Sequence, residues 1–259
     1  MDLGIKGRSA IICGSSRGLG RACAEALARE GVNIVLNGLD ESRLRQAADE
    51  IFRSCNVQVK DVAADVTSEE GQRRLLDACP TPDILVNNNA GPAPAAFLAL
   101  DRNAWQKAVE ANMLAPISLV HSVLPAMKEK RFGRIINITS AMVTTPRPHM
   151  TLSAGARAGL TAVMKGLSIE VARYNVTINN LLPERFDTDR QVQMAKAAMT
   201  RESISFEKAR QNQIESIAAR RLGLPVEFGS TCAFLCSEFA GFMSGQNIHL
   251  DGGSYPALV

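Results

Sequence analysis

The stretch CGSSRGLG, residues 13–20, lies between a short apolar run and a segment of helical spacing. Its glycines, Gly14, Gly18 and Gly20, have the spacing G-x-x-x-G-x-G. Glycine lets a backbone turn sharply and approach a phosphate closely. The first turn of a helix adds unpaired N–H groups and the positive end of a dipole. Residues Gly14, Ser16, Arg17, Gly18, Leu19 and Gly20 therefore form a candidate pyrophosphate cradle. The Arg17 guanidinium can fork onto one more phosphate. A tight turn with no ligand is the alternative reading.

A second group stands in HMTLSAGARAGL, residues 149–160. Ser153 and Arg157 are four residues apart and share a helix face. A serine hydroxyl is a poor acid, and an arginine, with a pKa above about 12, binds hydroxyls as a fixed cation. His149 is of a residue type suited to proton transfer, or is a solvent-exposed loop histidine. Glu184 could act near the reaction centre, or pair with Arg185 or Arg157 as a loop salt bridge. Pro116 cannot donate to the carbonyl four residues earlier, so the Asn112 carbonyl is left free for a water.

The elements that must position these groups alternate. Apolar or alternating runs at 9–13, 32–37, 57–66, 83–88, 134–139, 176–182 and 247–251 read as strands. Helical spacing covers 19–30, ending at Gly31, and 40–54, with Leu44, Ala47, Ala48 and Ile51 on one face. Helices are also predicted at 101–130, as one long element, at 153–173 and at 228–238. Thr67 and Glu70 fit a capping box for a helix before the fourth strand. Such alternation implies an α/β, Rossmann-like doubly wound parallel sheet with helices on both faces. No linker breaks the composition, so residues 1–259 read as a single nucleotide-binding and catalytic domain. Residues 184–220, charged and poor in strand character, read as a helical substrate lid within it.

A net charge of +3 without clustered basic runs does not fit a nucleic-acid binder. No apolar run reaches the about 18 residues of a membrane span, and AIIC at 10–13 is too short for a signal peptide core. None of the six cysteines forms a Cys-x-x-Cys pair, and the three histidines lack zinc-site spacing, so no metal is expected. Reduced, mostly buried thiols in a soluble cytoplasmic protein are the expectation.

Over nearly its whole length the sequence resembles the classical short-chain dehydrogenase/reductase family. The resemblance rests on the glycine loop, Asp65 in ADV, NNAG at 88–91, Asn112, NITS at 137–140, Pro183 with Thr188, RRLGLP at 220–225 and SGQNIHLDGG at 244–253. It implies a nicotinamide cofactor. Asp65 and Val66 would meet its adenine end, and Asn88, Asn89, Ala90 and Gly91 its ribose, with one asparagine more than the usual pattern. Pro183 and Thr188 would meet the nicotinamide. Arg17, and the absence of an acid at Gly38, favour NADP(H), with NAD(H) the alternative.

In the family a serine, a tyrosine and a lysine do the chemistry, assisted by a helix asparagine. Ser140 and Asn112 match the serine and the asparagine. Ser153 and Arg157 stand where the tyrosine and lysine belong. The other tyrosines do not replace it: Tyr174 falls at the wrong end of the sheet and Tyr255 in the C-terminal tail. Three readings follow. The first is an NADP(H)-dependent oxidoreductase of a ketone or secondary alcohol, a 3-oxoacyl substrate among them, with an altered proton-transfer group. The others are a non-redox isomerase or lyase, and a silent nucleotide- or partner-binding protein. Arg185, Arg190, Arg201 and Arg210 could attract an anionic substrate or be exposed helix charges. Met194, Met199 and Phe206 could line a pocket or pack a core. The resemblance also implies a homo-oligomer, a tetramer or dimer. Helices 101–130 and 153–173 carry apolar faces for it, the latter through Leu160, Met164, Leu167 and Val171.

Overall fold

The computed structural model describes residues 2–258. The first half of the chain runs β1 (Ser9–Ile12), α1 (Gly18–Arg29), β2 (Asn33–Gly38), α2 (Glu41–Cys55), β3 (Val59–Ala63), α3 (Glu69–Ala78) and β4 (Ile84–Asn87). There follow α4 (Arg102–Val109), α5 (Ala115–Lys130), β5 (Gly133–Ile138), α6 (Thr151–Val171) and β6 (Val176–Pro183). The last elements are α7 (Asp189–Glu202), α8 (Phe206–Glu215), α9 (Pro225–Cys236) and β7 (Asn247–Leu250). Among the described residues the strands form one parallel sheet in the order β3-β2-β1-β4-β5-β6-β7.

Strands buried on both faces read as unbroken apolar runs, and side chains alternate between two cores. Ile12, Leu36, Val86 and Ile136 pack with Leu27 of α1, Leu44 and Ile51 of α2 and Phe228 of α9. Ile11, Val35, Leu85 and Ile135 pack with Leu75 of α3, Val123 of α5 and Leu160 of α6. On this second face a row of asparagines replaces apolar residues, from the last residue of β4 to the first of β7. Asn87 Nδ2 donates to Asn137 Oδ1 at 2.9 Å, Asn137 Nδ2 to Asn180 Oδ1 at 3.0 Å, and Asn180 Nδ2 to Asn247 Oδ1 at 2.9 Å. The four stand in register on β4, β5, β6 and β7.

The structure corrects several local expectations. Ser68, not Thr67, caps α3 by accepting from Gly71 N, because Thr67 N and Oγ1 are drawn back onto Asp65 Oδ1. The Asp65 turn also ends β3 early. The long helix at 101–130 is split by a π-turn, Glu110–Leu114, in which Ala115 N bonds to Glu110 O. Pro116 has no N–H for the Asn112 carbonyl, and the ladder widens just before it. α6 begins at Thr151, two residues before the expected start. Its residues Leu160, Met164 and Val171 are 2%, 1% and 0% exposed, packed in the chain's own core. They therefore do not form a subunit face; Val163 and Ile169 are the exposed apolar residues of that helix. No helix of the described residues is long and apolar enough to cross a membrane, no metal-binding cluster is found, and the cysteines are unpaired thiols.

Candidate active site

The loop after β1 ends at the N-terminus of α1. Gly14 and Gly18 have φ of +56° and +61°, a region that favours glycine. A Cβ on Gly14 would fall 2.7 Å from Asn88 Nδ2, and one on Gly20 would collide with the Gly14 carbonyl oxygen. Asn88 closes the loop from β4 by donating to Gly14 O at 3.0 Å. Asp40, Ser68 and Asp101 cap α2, α3 and α4 with their side chains, whereas α1 has no side-chain cap. Its first N–H groups are available to an anion.

One elongated cavity of about 920 Å³ runs from this loop across the carboxyl ends of the strands. This crevice is where open parallel sheets bind ligands. At one end it is lined by Gly14, Ser16, Arg17, Gly18 and Leu19 and by Asp65 and Val66. Asn89, Ala90 and Gly91 line it after β4, and Pro183 and Thr188 after β6, with Thr188 Cγ2 only 4.0 Å from where a Gly18 Cβ would stand. Gly20 is buried behind the loop and lines nothing. Asn89 also braces the π-turn, donating from Nδ2 to Ala111 O at 3.3 Å.

Ser140, His149, Ser153 and Arg157 line the same cavity. The Ser140 hydroxyl accepts from Met142 N at 3.2 Å, so its own proton remains free to point into the cavity. Ser153 is 4% exposed in the first turn of α6. Arg157, 7% exposed, donates from Nη1 to Ile138 O at 2.6 Å and from Nη2 to Asn89 O at 3.2 Å. Burial draws its pKa down to about 10, and the nearby charge of Arg190 acts in the same direction. At neutral pH it is a cation. His149, exposed at the rim, adopts φ +65°, and its carbonyl accepts from Ala95 N at 2.9 Å.

Other expected site residues are placed differently. Asn112 is 3% exposed within the π-turn and does not line the cavity; its Nδ2 donates to Ala108 O and its Oδ1 is buried without a partner. Glu184, with an 8% exposed side chain, pairs with Arg147 at 3.2 Å and Arg185 at 3.5 Å, not with Arg157. Arg210 is held by Asp187, and Met199 and Phe206 lie outside the lining, whereas Met194, Arg190 and Arg201 are part of it. Tyr174 precedes β6, at the amino end of the strands and away from the cavity, and Tyr255 stacks on His249 with ring centroids 4.0 Å apart. Arg147 was missed because nothing in TTPRPHM marks it; its role appears only when Glu184 arrives from β6. Arg43, also in the lining, follows the Asp40 cap by three residues.

Residues 14–255 match a family model described as enoyl-(acyl carrier protein) reductase. A 3-oxoacyl-[acyl-carrier-protein] reductase of Aquifex aeolicus is 30% identical over 98% of this chain and 100% of its own. The NADPH-dependent reductase BacG of Bacillus subtilis is 30% identical over 97% of this chain and 99% of its own. The L-sorbose reductase of Gluconobacter frateurii, solved with NADPH and L-sorbose, superposes with a TM-score of 0.94 at 30% identity, each chain covered in full.

Proposed function

The chain belongs to the short-chain dehydrogenase/reductase family, and on that premise we propose that it interconverts a ketone and a secondary alcohol with NADP(H). The observation that carries the reading is the single cavity that joins an uncapped, glycine-lined helix terminus to Ser140 and Ser153. The loop fits a dinucleotide: Gly14 and Gly20 have no room for a Cβ, Gly18 holds a positive φ, and the α1 N-terminus has no side-chain cap. Gly14 to Leu19 would hold the phosphates, Asp65 and Val66 the adenine side, and Asn89 to Gly91 with Thr188 the nicotinamide side. NADPH is favoured over NADH because Arg17 and Arg43 line the adenine end of the cavity beside Gly38. The NADPH-linked relatives support the same preference.

Bound NADPH supplies a hydride to the substrate's carbonyl carbon. The Ser140 hydroxyl donates to the carbonyl oxygen and polarises it. Arg157 orders ribose hydroxyls with its remaining N–H groups and, as a fixed cation, steadies negative charge developing nearby. The chain lacks the Tyr-x-x-x-Lys pair of the family, so proton delivery is altered. The Ser153 side chain ends roughly 4 Å short of a tyrosine hydroxyl, given ordinary bond lengths. A water held by Ser153 passes the proton, and His149 at the rim exchanges it with solvent. Residues 184–220 act as the substrate lid through Arg190 and Met194. A homo-oligomer forms through the exposed residues Leu114, Val163 and Ile169.

Calorimetric titration with NADPH and NADH is the first test. Micromolar NADPH binding and much weaker NADH binding, followed by NADPH consumption with a ketone panel, is the expected result. Absence of binding to both nucleotides would overturn the redox reading.

A further inference from the structure

Every carboxylate lining the cavity is already engaged. Asp40 accepts from Arg43 N and Ser42, Asp65 from Thr67, and Asp189 faces Arg17 at 3.2 Å across the cleft. Glu184 is held between Arg147 and Arg185. Two cations in the lining have no carboxylate among the described residues. Arg157 bonds only to the carbonyls of Ile138 and Asn89, and Arg190 donates from Nη2 to Pro92 O at 3.0 Å. Arg157 comes from α6 and Arg190 from α7, and their Nη2 groups donate to Asn89 O and Pro92 O, so both guanidiniums flank the same short segment after β4.

A buried guanidinium beside a second cation, with no counterion, is costly unless an anion joins it. Resting on the oxidoreductase reading above, we propose that the substrate is an oxo-carboxylic acid whose carboxylate seats between Arg157 and Arg190, beside Ser153. Carboxylate and guanidinium match in planar, two-pronged geometry, and a site shielded from water strengthens the pair. The substrate thereby supplies the missing counterion. Its ketone is turned toward Ser140, which lines the same cavity. The phosphates of the dinucleotide are the other source of an anion, but the α1 terminus and Arg17 already provide for them.

The test is calorimetry on the NADP⁺-loaded protein with pyruvate, acetoacetate and levulinate, each against its methyl ester. At least one acid is expected to bind tenfold or more tighter than its ester. Arg190→Gln is expected to abolish that preference of acid over ester. Acids binding no better than esters would overturn the proposal. So would an Arg190→Gln variant that weakens NADPH binding as much as acid binding, which would assign the cation to the cofactor phosphates. Because binding is read without turnover, an acid that binds selectively but never consumes NADPH refutes the redox reading and leaves the subsite standing. If neither nucleotide binds, the same titration on the cofactor-free protein decides the subsite alone.

Discussion

Arg157 Nη1 donates to the carbonyl oxygen of Ile138 across 2.6 Å, tying α6 to the last residue of β5. The bond fixes the guanidinium at the base of the cavity while Ser153, one turn earlier, faces the same cavity. The helix thus keeps a cation in place but offers no acid of its own. This division between charge and proton transfer sets the first prediction.

The double substitution Ser153→Tyr with Arg157→Lys should raise kcat for a neutral ketone at neutral pH by roughly 10²–10⁴-fold, the usual contribution of a positioned proton donor. Steady-state NADPH consumption checks it. Binding of an oxo acid should fall in the same variant, because the ring fills the space beside residue 157. An unchanged kcat would mean that proton transfer does not limit the reaction.

Ser140→Ala should lower kcat by roughly 10²–10³-fold, comparable to removing one oxyanion donor. The Kd for NADPH should change little, since Ser140 lies at the substrate end. Parallel kinetics and calorimetry separate the two effects. A loss confined to NADPH affinity would contradict the assigned role.

Gly20→Ala should both destabilise the fold, by roughly 1–3 kcal/mol, and abolish measurable NADPH binding, because its Cβ meets the Gly14 carbonyl. Gly166→Ala is the contrasting case. It lies inside α6 with nothing within 4 Å of the new Cβ, and should stabilise by about 0.5–1 kcal/mol. Thermal melts of both variants, with and without NADPH, provide the measurement.

Glu227 accepts from Arg221 and from Leu224 N at the start of α9, and its pKa is lowered to about 2 from the ordinary 4.5. A lowered carboxylate pKa contributes stability above the unfolded value and loses it as pH falls through the folded value. Glu227→Gln should therefore melt below the parent at pH 7. The gap in Tm should narrow steadily as the pH falls from about 5 toward 2. The residue is exposed, so the gap should be small and should shrink in high salt.

Much of the architecture was legible because period and punctuation agree. Apolar runs marked the strands, Gly31 marked the end of α1, and the Leu44–Ala47–Ala48–Ile51 face of α2 is buried as its spacing implies. Local competition between side chains was not legible. Thr67 and Ser68 are chemically equivalent caps until the Asp65 turn claims the first. The apolar face of α6 could equally have met its own sheet or a second subunit, since periodicity identifies a buried face but not what covers it. At the site, the glycine loop and the Ser153–Arg157 pair are sequence-local and could be read directly. The Arg147–Glu184–Arg185 group joins a loop to the end of β6, thirty-seven positions apart, and emerges only from the fold.

The amide ladder across β4, β5, β6 and β7 also bears on how this sheet selects one pairing over its neighbours. Sliding β5 by a single position would turn Asn137 toward the opposite core, put an isoleucine in its place and leave the amides of Asn87 and Asn180 without it. Each stranded group costs about 1–3 kcal/mol, so a misaligned strand is penalised twice, on both flanks. Apolar contacts among Val, Ile and Leu discriminate weakly between registers, because one branched side chain substitutes readily for another. The asparagines supply the discrimination those contacts lack. They hold four strands in register, so Ser140, which follows β5, and Glu184, which follows β6, stay at matching heights.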